Sequence, residues 1–477
     1  MPDLSFAGYA TASWALCALL ARVNTASALV YRSVVTYKQI EESAKEESRK
    51  HPNARQRRRS AIAAMAETQK LMVLPMTNGR FVTLPFAGEV ETAVMLLMVC
   101  VANCALEVAA AAGLRAFGHA ELVRRNVLAV PSAMLCAGVA CYALGRSSAV
   151  RHDLTPRAER VAACAVGAVA LAVLGVGLSL LPSHGNPAWI DLPLGDAARA
   201  VEAMACERAR ASGLRPDDVP CPSGFGAPLL RFALGATGAV IAGTTLAAAL
   251  RCAQMFYACM HPPQWLQRAG TSVGVTDDAW RRAALHVWLL APLPAVLLFL
   301  PPLLNAFTPE PSTAAADSVA STRIMQACSL LFAGIAQIGI TATLLQAYAD
   351  KSFHRWYELK HGGDDEYKDV MAKLGADKDA TKRKEIKSAI LDAILQSNDA
   401  LFGKAALQMV APALLFVSAG ALLLLRGGGA PGLLVEADAG TMALWRCVGG
   451  FVGCWTSAWW IVCTAGAVWL RNTGVMA

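Results

Sequence analysis

The chain has 477 residues, 55% of them hydrophobic and only 16% charged, with a mean hydropathy of +0.42. Soluble globular chains run about 45–50% apolar and about 25% charged, so neither an ordinary cytosolic enzyme nor a disordered chain fits. Fourteen cysteines are too dilute for a disulfide scaffold, and the net charge of +8 points to nucleic acid or a membrane surface, depending on where the basic residues sit.

A bilayer core of about 30 Å needs about 20 apolar residues per helix. Nine runs of that kind occur, at 4–22, 92–113, 127–145, 161–182, 227–250, 284–303, 324–346, 406–425 and 449–470. They are continuous rather than alternating, which favours helices over a membrane β-barrel. The expected fold is an all-α polytopic bundle of about nine spans. Two runs are weak. Pro131 interrupts the third, and the sixth holds Pro292, Pro294 and Pro301. The first run opens on Met1-Pro2-Asp3 and is followed by Arg22, so it reads as an uncleaved anchor (a signal peptide wants a basic start).

Basic residues collect on the cytoplasmic side. With the N-terminus outside, the inner segments 22–91, 146–160, 251–283, 347–405 and the tail hold 32 Lys and Arg against 10 in the outer loops. That places the C-terminus in the cytoplasm. The domains follow as an N-terminal span (1–22), a basic cytoplasmic loop (23–91), spans two to seven (92–346), a charged helical loop (347–405) and two final spans (406–477).

Within the basic loop, Arg49 to Ser60 is dense in arginine. It reads as a solvated topology signal, with contact to anionic lipid as the sharper alternative. Arg57-Arg58-Arg59-Ser60 suits a basophilic kinase, and phosphate on Ser60 would weaken lipid contact. No aromatic residue interleaves the arginines, which argues against nucleic acid. The outer loop 183–226 contains an amphipathic stretch from Ala197 to Ser212, with Val201, Met204 and Ala205 on one face. Cys206 and Cys221 lie in this loop, either bridged or as two free thiols. Segment 347–405 balances 11 basic with 11 acidic residues, which predicts a salt-bridged helical hairpin. Ile386, Ile390, Leu391 and Ile394 form its apolar stripe.

Ionisable residues at membrane depth are functional candidates. Glu107 and Arg231 each lie roughly 6–9 Å below the outer boundary at 1.5 Å rise per residue and could pair. A buried ion pair fixing helix register, the lining of a polar path, and a snorkelling Arg231 all remain open. Toward the inner side lie Glu89, Glu91, Arg251, Gln254 and His286, of which Arg251, Gln254 and His286 form a candidate polar cluster. Gly167, Gly175 and Gly177 in the fourth run, with Gly235, Gly238 and Gly243 in the fifth, would let helices approach closely. Trp455, Trp459 and Trp460 read as bundle or interface residues. There is no zinc-type Cys/His cluster, bis-histidine haem pair, Walker loop, nucleophile elbow or dinucleotide fingerprint in its structural context. Neither a catalytic constellation nor a cofactor is expected.

Five short blocks carry a resemblance. They are Leu250-Arg251-Cys252-Ala253-Gln254-Met255, Leu285-His286-Val287-Trp288-Leu289-Leu290-Ala291-Pro292, Leu345-Gln346-Ala347-Tyr348, Leu407-Gln408-Met409-Val410-Ala411-Pro412 and Trp459-Trp460-Ile461. In this order and spacing the chain resembles the transmembrane protein 161 family over nearly its whole length. Glu107 sits in a comparable Glu-Val context, and Arg231 falls where that family carries a basic residue. The chain departs from the family in its alanine content, its lack of an Asn-x-Ser/Thr acceptor and its outer loops. The resemblance implies a multi-pass protein of the plasma membrane or an endomembrane, associated with ion-current regulation and stress responses. It also implies other membrane proteins, such as channels, as partners. The rival is a transporter or channel in its own right. A lipid-directed enzyme with His286 as base is weaker, because it lacks a nucleophile or metal partner.

Overall fold

The structure, a computed structural model, describes residues 11, 15, 18–19, 27–31, 34–39, 71–116, 129–149, 157–179, 190, 192–211, 224–261, 279–301, 315–361, 380–424 and 439–474. Eleven helices dominate these residues: α1 (Asn78–Val82), α2 (Ala87–Ala116), α3 (Ala129–Ala149), α4 (Arg157–Ser179), α5 (Leu194–Ala211), α6 (Gly226–Met260), α7 (Ala279–Leu290), α8 (Leu293–Leu297), α9 (Ala315–His361), α10 (Ala380–Leu424) and α11 (Ala439–Asn472). A π-helical turn (Ser27–Tyr31) and two antiparallel strands, β1 (Val35–Gln39) and β2 (Leu71–Pro75), precede them.

Among the described residues six helices are long and apolar enough to cross a membrane: α2, α4, α6, α9, α10 and α11. Large apolar side chains stand exposed on their outer faces, including Val169 and Val173 on α4, Phe232 on α6, Ile335 on α9 and Val462 on α11. In water such faces would be costly, and in lipid they are matched. The fold is an all-α helical membrane bundle. The nine expected runs resolve unevenly. The first lies almost wholly outside the described residues. The third forms α3, a 21-residue helix that is not among those six. Pro131 sits in its first turn, where no backbone N–H is needed, so it opens the helix instead of breaking it. The sixth run breaks in two. Pro292 ends α7, and Pro294 sits in the first turn of the five-residue α8.

α10 is the hub. From Leu401 to Leu424 it is buried almost throughout, with α9, α3, α11, α2 and α6 packed around it. Glycines set the closest approaches. A Cβ on Gly403 would collide with the Pro85 carbonyl oxygen, and one on Gly334 of α9 would lie 2.7 Å from Val417 of α10. The expected glycine contact between the fourth and fifth runs is present. A Cβ on Gly243 of α6 would lie 2.8 Å from the Ala163 carbonyl oxygen of α4, and 3.5 Å from the Gly167 Cα. Gly175 has nothing near it.

Helix ends alternate between two sides. Glu89 at the start of α2 bonds Arg146 at the end of α3. Pro85 meets Gly403, and Ser147 meets Gln408. These contacts lie on the side that carries the β-hairpin, called here the hairpin end. At the opposite end α5 packs on the start of α6. Glu202 of α5 accepts the backbone N–H of Gly224 (2.8 Å) and of Gly226 (3.0 Å), satisfying donors that a helix start leaves unpaired. The amphipathic face of α5 differs from expectation. Leu194, Ala197 and Ala198 are buried and Val201 half-buried, while Met204 and Ala205 are exposed. The i, i+3, i+4, i+7 stripe thus begins one turn earlier, on an element that packs on α11 and on the start of α6.

Two expected loops are more structured than loops. The ends of the basic segment pair as β1 and β2, in register from Val35 opposite Pro75 to Gln39 opposite Leu71. Tyr31 stacks on Phe81 at 4.0 Å between ring centroids. Arg49 to Ser60 lies outside the described residues. Within segment 347–405, α9 continues to His361 and α10 starts at Ala380. Leu395 is buried there, and Ile390 and Ile394 are half-buried. The side chains of Ile386 and Leu391 lie outside the description.

Candidate functional site

A layer of buried polar side chains occupies the half of the bundle nearest the hairpin end. Gln337, 1% exposed, sits at the centre of α9. Its Oε1 accepts the indole N–H of Trp288 on α7, and its Nε2 donates to the Met409 carbonyl oxygen of α10 at 3.0 Å. Local sequence explains why that carbonyl lies in a disturbed stretch. Pro412 has no N–H for the carbonyl of Gln408 four residues earlier and crowds the preceding turn. Gln337 therefore ties three helices at the weak point of the central one.

One residue before Met409, Gln408 of α10 donates to Ser147 Oγ of α3 at 3.3 Å. Gln408 Oε1 is buried without a hydrogen-bond partner among the described residues. Lys404, 1% exposed, lies four residues before Gln408 and so on the same face of α10. Nearer the hairpin, Gln346 of α9 accepts the Val35 N–H at 2.8 Å and donates to Asp350 at 2.7 Å. A side-chain amide thus acts as a short extra rung on the edge of β1. Asp350 itself is 8% exposed.

Arg251 of α6 completes the layer. Its guanidinium carbon lies 5.9 Å from the centroid of the Tyr348 ring on α9, a cation–π distance. Its Nη1 is buried with no hydrogen-bond partner among the described residues. The structure therefore turns Arg251 toward α9. His286 of α7 is exposed and meets Phe256 edge-on at 5.8 Å, and Gln254 is half-buried. The expected cluster of Arg251, Gln254 and His286 is spread over two contacts rather than gathered in one.

The remaining expected positions are placed as follows. Glu107 lies on α2, which packs chiefly on α10 and α3, and its side chain lies outside the described residues. Arg231 is half-buried near the start of α6. Glu89 pairs with Arg146, whose guanidinium carbon also lies 5.8 Å from the centroid of the Phe86 ring. Cys206 on α5 is disulfide-bonded. Its partner lies outside the described residues, as do Cys221 and Ser60. Trp455 donates to the Gly238 carbonyl oxygen at 2.9 Å, and Trp460, 1% exposed, packs edge-on to Phe416, so both are bundle residues. Among the described residues no group of three or more His, Cys, Asp or Glu side chains could hold a metal ion.

Sequence reading missed Gln337 and Lys404. Gln337 is one glutamine inside an apolar run, and nothing in the run marks it as the residue that meets two other helices. Lys404 was assigned to the loop before the eighth run, and the signal available was the unbroken helical pattern from Leu401 through Val410.

Four of the five sequence blocks contribute residues to this layer, and the fifth contacts α10 at Phe416. Arg251 meets Tyr348. Gln346 holds the hairpin. Trp288 reaches, through Gln337, the carbonyl of Met409, and Trp460 packs on α10. No protein-family model, curated protein or solved structure matches the chain. The fold and the polar layer define a multi-helix integral membrane protein built on one central buried helix.

Proposed function

We propose that this chain is a non-enzymatic multi-pass protein of the transmembrane protein 161 type that regulates ion currents or transport through other membrane proteins. One observation carries the reading. Among the described residues, interior side chains of α3, α6, α7, α9 and α10 bond one another and backbone, clamping the bundle and its hairpin. A regulator needs a rigid membrane body and a structured face toward a partner. The hairpin end supplies that face and is assigned to the cytoplasm, because most of the chain's basic residues fall on segments of that side. The family assignment rests on the five sequence blocks.

A second reading, an ion or solute pathway in its own right, is favoured by a separate observation. α7–α8 is broken at Pro292, α10 carries Pro412, and Gln408 Oε1 and Arg251 Nη1 are buried without partners among the described residues. Broken helices that free backbone carbonyls are how membrane pathways bind ions. Flux measured in proteoliposomes holding only this protein separates the two. The regulator reading expects no flux across a broad ion panel. Flux that Gln408→Leu or Arg251→Gln abolishes in folded protein replaces it with the pathway reading.

A further inference from the structure

Three thiols meet where α2 packs on α3. Cys100 and Cys104 of α2 are four residues apart, and so are Ser132 and Cys136 of α3, so each pair shares one helix face. The Cys136 thiol donates to the Leu96 carbonyl oxygen of α2 at 3.3 Å. In an α-helix that same oxygen accepts the backbone N–H four residues on, which is that of Cys100. Cys136 is thereby set beside Cys100. The Cys100 side chain hydrogen-bonds those of Cys104, Cys136 and Ser132. Cys100 and Cys136 are fully buried, Cys104 nearly so, and all three are free thiols.

Geometry selects which two can join. A disulfide needs Cβ atoms about 3.5–4.5 Å apart. Residues i and i+4 of one helix hold theirs about 5–6 Å apart, so Cys100 and Cys104 cannot bridge without distorting α2. Cys100 and Cys136 stand on facing helices, where no such spacing is imposed. Depth supplies the redox setting. Cys100 is six residues, about 9 Å, from the Leu106 end of its span, at the end of the bundle where Cys206 of α5 is disulfide-bonded. Thiol and disulfide are both neutral, so the pair can oxidise in an apolar interior without leaving a charge buried. We propose that Cys100 and Cys136 are a modification site, a thiol pair that a hydroperoxide oxidises to a disulfide between α2 and α3. The Cys100 sulfur attacks the peroxide O–O bond, which breaks to leave a sulfenic acid and an alcohol. The Cys136 sulfur then displaces the hydroxyl, which leaves as water with the remaining thiol proton. Two thiols give up two electrons, the hydroperoxide takes them, and the products are one disulfide, one alcohol and one water. Cys104 and Ser132 supply hydrogen bonds to the Cys100 sulfur as it reacts. The bridge would pin together two helices that both pack on α10. The site is independent of whether the protein regulates or transports.

The test treats the full chain, in phosphatidylcholine nanodiscs, with membrane-permeant tert-butyl hydroperoxide. Remaining thiols are then blocked with N-ethylmaleimide in denaturant, and peptides are mapped by mass spectrometry with and without reduction. A linked Cys100–Cys136 peptide is expected, with loss of alkylation at both positions that dithiothreitol restores, while Cys104 is alkylated throughout. Cys136→Ser should abolish the linked peptide and leave Cys100 as a sulfenic acid that dimedone captures. Full alkylation of Cys100 and Cys136, after a dose that oxidises dithiothreitol in a parallel sample, overturns the proposal. So does oxidation of Cys100 to sulfinic acid without a bridge. A bridge from Cys100 to Cys104 overturns the pairing. The wild-type arm carries no substitution, so the outcome does not depend on whether Cys136→Ser folds.

Discussion

Gln337 on α9 donates a 3.0 Å hydrogen bond to the carbonyl oxygen of Met409 on α10, three residues before Pro412. Its other amide atom accepts from Trp288, so one side chain joins the broken α7–α8 segment to the central helix. Gln337→Leu should lower stability by about 1–2 kcal/mol, the range for interhelical hydrogen bonds in a membrane. Trp288→Phe should cost less once Gln337 is gone. Unfolding of the two single variants and the double variant in bicelles measures this, and strictly additive losses would contradict the bridge.

Gly243 should not accept a methyl group. Its Cβ would meet the Ala163 carbonyl oxygen at 2.8 Å, and backbone has little room to yield. Gly243→Ala should therefore destabilise the chain by about 1–3 kcal/mol. Gly175→Ala, with open space around it, should be neutral or slightly stabilising, because alanine is the better helix former. Comparable melting of both variants would show that α4 and α6 are not in this register.

The bridge at Cys206 bears on which side α5 faces. A disulfide persists in an oxidising compartment, and the distribution of basic residues in the sequence predicts that the α5 end faces outside. A protein keeping only Cys206 and Cys221 should resist thiol labelling until reduced and shift on non-reducing gels. Labelling of both thiols in mature protein would remove that pairing.

Glu107 and Arg231 remain a candidate pair from their depth in the sequence. If they are partners, Glu107→Gln lowers folded yield, and adding Arg231→Gln restores part of it, since an unpaired buried charge costs more than a neutral pair. Independent losses from the two substitutions would separate them.

Membrane character and helix type were legible in the residues, because burying about 20 consecutive apolar side chains in lipid is a local, additive requirement. So was the close approach of Gly167 to Gly243, since only absent side chains permit it. The register of α5 was not, because its buried face, with Leu194 and Ala197, is set by packing on α11 and the start of α6, surfaces distant in sequence. The hairpin was hidden for the same reason. Its strands are five residues each, separated by 31 residues, and neither carries a turn signal of its own. The inner polar cluster was partly misplaced. Arg251 belongs to it, but His286 stands exposed and Gln337 takes the central place.

Sequence by itself determined that this chain lies in a membrane as helices, because hydropathy is a property of each residue and its near neighbours. Tertiary structure alone decided that α10 is the hub, that Pro131 opens a helix while Pro292 breaks one, that Gln337 bonds α10, that Arg251 lies on Tyr348 and that Gln346 holds β1. Apolar helices look alike to one another in sequence. Which of them packs centrally, and which polar atoms then face each other, depends on the shapes of all the neighbours at once.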